Sequence, residues 1–320
     1  MASSQFKSLA METLKSRLMI TGGAGFIGSH LANALIDNGY QVIIVDDLSK
    51  GKKENINPKA TFFKVDIKNK KFHRLLRKIK PNYLFHLAAQ SSLSKSIKDP
   101  KEDLEINLLA IVDFLKEAKA AKVQKIIFAS SAAIYGPVDS LLISEDDPKM
   151  PISPYGIAKF TAEHFIRYFC QNFNLPYVSL RFANVYGQNQ DTTSEGGVVG
   201  IFINKILKKQ PVVIYGDGNQ TRDFIHVSDV VNASKSVINS KIIGEFNVGT
   251  ARKTSINDLF AIITKVSGSK PKLIYEAERN MEVKHNSLSY QKINKAIGWR
   301  PKVELEEGLK ITFEDFKSKL

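Results

Sequence analysis

Thr21-Gly22-Gly23-Ala24-Gly25-Phe26-Ile27-Gly28-Ser29-His30 follows the apolar run Leu18-Met19-Ile20 and opens an apolar-periodic stretch from Phe26 to Leu35. A strand, a glycine-rich turn and a helix in that order form the geometry that holds a dinucleotide pyrophosphate. Gly23, Gly25 and Gly28 fit G-x-G-x-x-G, and Gly22, Gly25 and Gly28 fit G-x-x-G-x-x-G. Glycine permits the tight turn and lets backbone approach the phosphates. The helix start offers unpaired N–H groups and the positive end of a dipole.

Working outward, Gln41-Val42-Ile43-Ile44-Val45 reads as the next strand and ends in Asp46-Asp47, about 20 residues past the glycines. A carboxylate there accepts from adenosine ribose hydroxyls and repels the 2′-phosphate of NADP. No Arg follows immediately, and Lys50, Lys52 and Lys53 come only later. The pattern predicts NAD.

The remaining strands are expected at Arg17–Thr21, Thr61–Val65, Tyr83–His86, Gln124–Ala129 and Tyr177–Phe182. Helical patterns lie near Phe26–Asp37, Lys70–Lys78, Lys101–Ala121 and Ser153–Phe173. Strands alternating with helices mean an α/β fold with a doubly wound parallel sheet. Ligands of such sheets bind beyond the carboxyl ends of the strands. Gly25, Asp46, Asp66, Leu87 and Ser131 all fall just past expected strand ends, so they share one sheet edge. After about residue 184 the pattern turns mixed, with a helix near Gly197–Lys208, a strand at Val212–Tyr215 and a turn at Gly216–Asn219. The expected division is a dinucleotide domain over 17–183 with later segments near 223–250 returning to it. A smaller, interleaved lobe covers 184–320, and residues 1–16 form an N-terminal extension.

The 320 residues are enough for a large core, and a hydrophobic content of 43% is ordinary for a globular chain. No apolar run is long enough to cross a bilayer, and the first sixteen residues lack an apolar signal core. The expected setting is the cytoplasm, without a membrane partner. The single cysteine, Cys170, excludes an internal disulfide and a cysteine-based metal site. The six His are scattered without ligand spacing, so no metal is expected. The net charge is +14, but only nine of the 46 basic residues are Arg. Scattered Lys suits solvated faces or an acidic small substrate better than specific nucleic-acid recognition.

The chemistry lies in Tyr155-Gly156-Ile157-Ala158-Lys159, which sets Tyr155 and Lys159 one helical turn apart on one face. Ser130-Ser131 close the strand before it, at the edge that carries the glycine turn. A phenol titrates near 10 and is a poor base at neutral pH. A Lys charge and the positive nicotinamide ring would stabilise its phenolate. Tyr155 would then take a proton from a substrate hydroxyl as hydride leaves the same carbon, with Ser131 holding that hydroxyl.

With these residues in view, the chain resembles the extended short-chain dehydrogenases/reductases of the NAD-dependent epimerase/dehydratase group, closest to the UDP-glucose 4-epimerases. The resemblance rests on the glycine block, Val65-Asp66-Ile67, His86-Leu87-Ala88-Ala89-Gln90, Ser130 to Gly136, Ser153 to Lys159, Arg181 to Gly187, Ile214 to Asp229, Asn247 to Thr250 and Gly298 to Pro301. It implies a Rossmann domain with a mixed α/β lobe for a nucleoside diphosphate sugar. It implies that Gly22, Gly25, Phe26, Ile27, Asp46 and Asp47 hold NAD, with Asp66 and Ile67 flanking the adenine. Leu87, Ala88, Ala89 and Asn107 would run along the dinucleotide, and Tyr155 and Lys159 would meet its nicotinamide half. On the sugar-nucleotide side it implies Ser131, Asn184, Arg222 and Arg279, with Val199, Val213 and Tyr215 at base and ribose. Glu282 would accept from ribose hydroxyls, and Asn286 stands at a size-gating position. The resemblance also implies a homodimer, through the helices near Lys101–Ala121 and Ser153–Phe173.

The reaction is narrowed by Ala132 and Ala133. Dehydratases resembling this chain carry Thr-Asp-Glu after the strand, and sugar-acid decarboxylases carry Glu where Ala133 stands. Epimerases need no group beyond the Tyr, and Asn184-Val185-Tyr186-Gly187 with Glu195-Gly196-Gly197-Val198 resembles microbial UDP-glucose 4-epimerases. The expected activity is interconversion of UDP-glucose and UDP-galactose with NAD retained. UDP-N-acetylhexosamine and UDP-glucuronate are alternative substrates, and a non-catalytic NAD-sensing regulator is the alternative of another class. Asn280, Met281 and Ser289 depart from the family's pattern beside the sugar contacts.

Overall fold

The computed structural model describes residues 16–193, 197–278 and 283–320. Its frame is a parallel sheet of seven strands: β1 (Arg17–Thr21), β2 (Gln41–Asp46), β3 (Thr61–Lys64), β4 (Tyr83–His86), β5 (Lys125–Ser131), β6 (Tyr177–Phe182) and β7 (Gly244–Val248). The spatial order is β7-β6-β5-β4-β1-β2-β3. Leu18, Met19 and Ile20 of β1 are fully buried because helices cover both faces of the sheet, which is why this strand is a continuous apolar run rather than an alternating one.

One face packs against the helices Phe26–Asp37 and Val227–Ser236, with Leu31, Leu35, Val230 and Ala233 in the core. The other packs against Lys70–Ile79, Ala110–Ala120 and Pro154–Asn172, through Phe72, Leu76, Phe114, Leu115 and Ile166. A third core, built from Val198–Leu207, Ile256–Ser267 and Leu305–Ser318, holds the smaller lobe around the parallel strands Val212–Tyr215 and Leu273–Glu276. Lys68, Lys70, Lys71, Arg74, Arg77, Lys78 and Lys80 line an exposed face, so this charge run is solvated.

Three departures from the sequence reading have local causes. β5 runs two residues past Ala129, because Ser130 and Ser131 keep pairing with Arg181 and Phe182. β3 stops at Lys64, one residue short. The long helical pattern is three pieces, Pro100–Leu104, a π-helical turn over Glu105–Leu109, and Ala110–Ala120. The π turn adds one residue to a single turn, a one-position offset that falls within the ordinary scatter of apolar spacing along a helix.

The strand order reverses between β1 and β4, and the crevice there lies beyond their carboxyl ends, at Gly22 and Leu87. Lys125, at the far end of β5, is 5% exposed and donates to the carbonyls of Val237 and Ser240 just past the helix Val227–Ser236. A buried ammonium is retained there because it satisfies carbonyls that the helix end leaves open.

Candidate active site

At the crevice the backbone is too close for side chains. Gly22 sits at φ +71°, and a Cβ on it would lie 2.7 Å from the Ala88 nitrogen. A Cβ on Gly28 would lie 2.1 Å from the Gly22 carbonyl oxygen. The turn is closed by Gly22 N–H donating to Val45 O at 2.8 Å and Gly25 N–H donating to Gly22 O at 3.2 Å. Gly25 caps the helix Phe26–Asp37 with no side chain in the cap and no acidic residue in the first turn. An uncapped, unneutralised helix start beneath bare backbone fits a pyrophosphate.

Asp46 ends β2 and is 7% exposed. Its carboxylate accepts from Ala24 N–H at 3.0 Å and Leu48 N–H at 2.9 Å, and burial raises its pKa. The sequence reading gave this residue only a ribose contact. Folded, it also braces the glycine turn through Ala24. Asp47 is exposed and accepts from both Ser49 N–H and Ser49 Oγ. Asp66 is half-buried, with Ile67 buried beside it. Leu87, Ala88 and Ala89 continue from β4 past Gly22, all partly buried.

Ser131 is the last residue of β5. Its Oγ accepts from Ala133 N–H at 3.1 Å, fixing the 3-10 turn Ala132–Ile134, and its hydroxyl lies close enough to the Tyr155 phenol to favour the phenolate. Ser153 caps the helix Pro154–Asn172 by accepting from Gly156 N–H at 3.1 Å. Gly156 presses on the turn so closely that a Cβ would lie 2.5 Å from Ala133 O. That contact brings the helix start, and Tyr155 with it, onto the tip of β5. Lys159 lies one turn on and is 1% exposed. Its Nζ donates to Ala129 O at 2.9 Å and lies 4.7 Å from the Phe128 ring centre and 5.9 Å from that of Tyr155.

Burial pushes the Tyr155 phenol up to about 12, with the Asp103 charge adding to the rise and the Ser131 hydrogen bond opposing it. Burial pushes Lys159 down to about 8, while Asp103 and Glu163 pull it back up. At neutral pH, Lys159 is therefore largely charged and Tyr155 protonated. A further positive charge near the ring is needed to lower the phenol, and the oxidised nicotinamide carries one. The chain's residues thus fit NAD on two counts, the bare glycine cradle and the unmet charge requirement of the phenol.

Two buried groups around this pair escape sequence reasoning. His86 is pushed down to about 3 by burial and by the Lys159 charge, so it is neutral. Thr21 Oγ1 accepts from Ala88 N–H and shares a hydrogen bond with His86 Nδ1 at 2.8 Å, tying β1 to β4 at the crevice. Asp103 is fully buried and accepts from Gln90 Nε2 at 2.8 Å and Asn107 Nδ2 at 3.0 Å. Asn107, on the π turn, in turn donates to Gln90 O at 2.8 Å and accepts from Gln90 N–H at 3.1 Å. Asp103 sits in Asp-Pro-Lys-Glu-Asp, which reads as a solvated helix start. Its i,i+4 spacing to Asn107 was the one available signal.

On the smaller lobe, the short strands at 184–186 and 224–226 pair in parallel. Asn184 is exposed, and its N–H donates to Asp223 O at 2.9 Å. Arg222 donates from Nη1 to Thr221 O at 2.9 Å, and Asn286 N–H donates to the same Thr221 carbonyl at 3.3 Å. The link between them is Asp223, fully buried, which accepts from Thr250 N–H, Ala251 N–H and Leu288 N–H. Arg222 and Asp223 are thus not a surface pair. Asn184, Arg222 and Asn286 converge on one backbone knot. Val213 and Tyr215 share the half-buried face of their strand, opposite Val212 and Ile214. Val199 is corrected. It is 1% exposed and packs in the small lobe's core with Phe202 and Ile203, so core packing and not base contact accounts for it. Arg279 and Glu282 lie outside the described residues, as do Asn280, Met281, Glu195 and Gly196.

The profile of the NAD dependent epimerase/dehydratase family matches residues 18–249. A UDP-glucose 4-epimerase of Mycolicibacterium smegmatis is 36% identical, with 95% of this chain and 99% of that one covered. The solved Thermotoga maritima UDP-glucose 4-epimerase with UDP-glucose is 40% identical, covers 95% of this chain and 99% of that one, and superposes with a TM-score of 0.93. A UDP-N-acetylglucosamine 4-epimerase from Methanobrevibacter ruminantium, in complex with UDP-N-acetylmuramic acid, is 35% identical over 95% of this chain and 99% of that one, with a TM-score of 0.91.

Proposed function

As a member of the NAD dependent epimerase/dehydratase family this chain is an NAD-dependent enzyme, and we propose that it inverts C4 of a UDP-hexose, interconverting UDP-glucose and UDP-galactose through a transient 4-keto sugar. The observation that carries the reading is the composition of the β5 tip. Tyr155, Ser131 and Lys159 meet there, while the next positions, Ala132 and Ala133, bring no second acid or base. Loss of water or of carboxylate needs such a group; a reversible oxidation at C4 does not.

When bound, NAD accepts the C4 hydride and gives it back, so none is consumed overall. The chain's part is to move one proton and hold the sugar nucleotide. Ser131 donates or accepts at the 4-hydroxyl, and Tyr155 takes that hydroxyl's proton while charged Lys159 stabilises the phenolate. After the keto sugar turns about its diphosphate linkage, Tyr155 returns the proton to the C4 oxygen as the carbon is reduced on its other face. Arg222 and Asn184, with Arg279, are the residues we assign to the diphosphate; Arg suits phosphate through paired donors. Val213 and Tyr215 are assigned to the base and ribose, and the NAD contacts are those of the glycine turn, Asp46, Asp47, Asp66, Ile67 and Leu87 to Ala89; Asn107, fully buried and bonded to Gln90 and Asp103, stands behind them and makes no contact itself.

The deciding experiment incubates purified protein with UDP-galactose and no added cofactor. UDP-glucose is expected to form, and denatured protein is expected to release about one NAD per chain. Protein that carries NAD but turns over no UDP-sugar in a panel of hexoses, N-acetylhexosamines and uronates would establish an NAD-sensing regulator instead. The panel also tests the N-acetylhexosamine reading, which one observation favours: Asn286 is small, 7% exposed, and its Oδ1 is buried without a partner.

We further propose a homodimer through the helices near 101–121 and 153–173, extended by the preceding helix Leu93–Lys98. Ile97, Leu109, Phe165 and Tyr168 are exposed on them at 59%, 52%, 42% and 67%. An apolar face of this kind on packed helices is explained by a second copy. Ile97→Glu with Tyr168→Glu is expected to move the protein from dimer to monomer mass in light scattering; an unchanged dimer would place the interface elsewhere. The cytoplasm is our proposed compartment. Among the described residues no helix is long and apolar enough to cross a membrane.

A further inference from the structure

We propose that Asp103 is a positioning residue for the proton transfer: its carboxylate, locked in the interior by Gln90 and Asn107, supplies the negative charge that keeps Lys159 an ammonium ion beside Tyr155. This rests on the epimerase reading of Tyr155 and Lys159.

The geometry is specific. Asp103 is 0% exposed, on a helix segment packed against Pro154–Asn172. One oxygen, Oδ1, takes both hydrogen bonds, from Gln90 and from Asn107. The other, Oδ2, is buried without a partner. A structural acceptor needs only the first oxygen, and an amide would serve that purpose. The second oxygen keeps a full charge in a low-dielectric interior, which costs free energy unless a cation answers it. Lys159, buried on the helix Pro154–Asn172 against which the Asp103 segment packs, is the cation we assign to it. Burial raises the pKa of Asp103 and lowers that of Lys159, and against this the two groups each favour the other's charged form.

The other charges nearby do not take over this role. Glu163 also favours Lys159, but it is committed to Arg181 through two hydrogen bonds at 3.1 and 2.8 Å. Glu102, next to Asp103, pairs with Lys95 at 3.0 Å. His86 is neutral, and Ser131 carries no charge. Around Tyr155, the one carboxylate that acts is again Asp103, which opposes the phenolate. Asp103 therefore stabilises both protons, on Lys159 and on Tyr155.

The sign of the test follows. Asp103→Asn keeps Oδ1 for Gln90 and Asn107 and removes only the charge. Both pKa values then fall. The acid limb of the kcat/KM–pH profile, set by the phenol, and the alkaline limb, set by Lys159, are both expected to move toward acid by about 0.5–1 pH unit. A lower rate with both limbs in place would mean that Asp103 only holds Gln90 and Asn107, and would overturn the proposal. Asp103→Ser is the second variant and is expected to shift the limbs in the same direction. If neither variant yields folded protein with NAD bound, the residue is structural and the proposal fails. Tyr155→Phe, run in parallel, separates the two readings. Its loss of activity with unshifted Asp103→Asn limbs overturns this proposal alone, whereas full activity of Tyr155→Phe overturns the epimerase mechanism itself.

Discussion

Tyr155→Phe is expected to lower kcat for UDP-galactose by about two to four orders of magnitude while leaving NAD bound. Among the described residues at the β5 tip, the phenol is the group we assign to exchange a proton with a sugar hydroxyl beside Ser131. Its removal takes away one oxygen and no packing, since the ring stays. The KM is expected to change little, because the residues we assign to the diphosphate, Arg222 and Asn184, lie on the other lobe. A steady-state assay with the released-NAD measurement on the same sample checks both halves. A variant that keeps more than about a tenth of the rate would move the base elsewhere.

The second large effect is structural. Glu163→Ala is expected to destabilise the protein by about 3–5 kcal/mol, since it leaves the Arg181 guanidinium buried beside an empty site. Arg181 and Glu163 are 2% and 1% exposed. Arg181 also donates to Tyr135 Oη at 2.8 Å, and Tyr135 donates to Asn247 Oδ1 at 2.6 Å. Asn247 N–H donates to Glu145 Oε1 at 2.6 Å, so the chain of bonds joins the active-site helix to β6, β7 and the segment after β5. A melting temperature lower by roughly 5–15 °C is expected. The double variant Glu163→Ala with Arg181→Leu is expected to recover part of the loss, because the charge left behind is what costs most. A single variant melting with the wild type would show that Tyr135 alone suffices for Arg181.

Much of the site was legible because its parts are local. Tyr155 and Lys159 share a helix face at any tertiary fold that keeps the helix, and the glycine turn carries its own strand and helix. Ser131 could be assigned to the same edge because strand ends in a parallel sheet all point one way. What failed did so where distance in sequence hid a contact. Val199 has the same sequence signature as an exposed apolar residue, yet it fills the small lobe's core. Asp103 reads as surface charge and lies in the interior. Asp46 was given a ligand contact, and folded it also holds Ala24 and Leu48.

The sequence by itself determined the parallel sheet, the dinucleotide turn and the Tyr155–Lys159 pair, because periodicity, glycine placement and i,i+4 spacing are properties of neighbouring residues. Only the tertiary structure decided which charges surround that pair. Gln90, Asp103, Glu163 and Arg181 come from four separate segments, and their effect depends on burial and through-space distance, which no local pattern encodes. The identity of the chemistry is thus written along the chain, while the protonation states that let it run are set by how the chain packs.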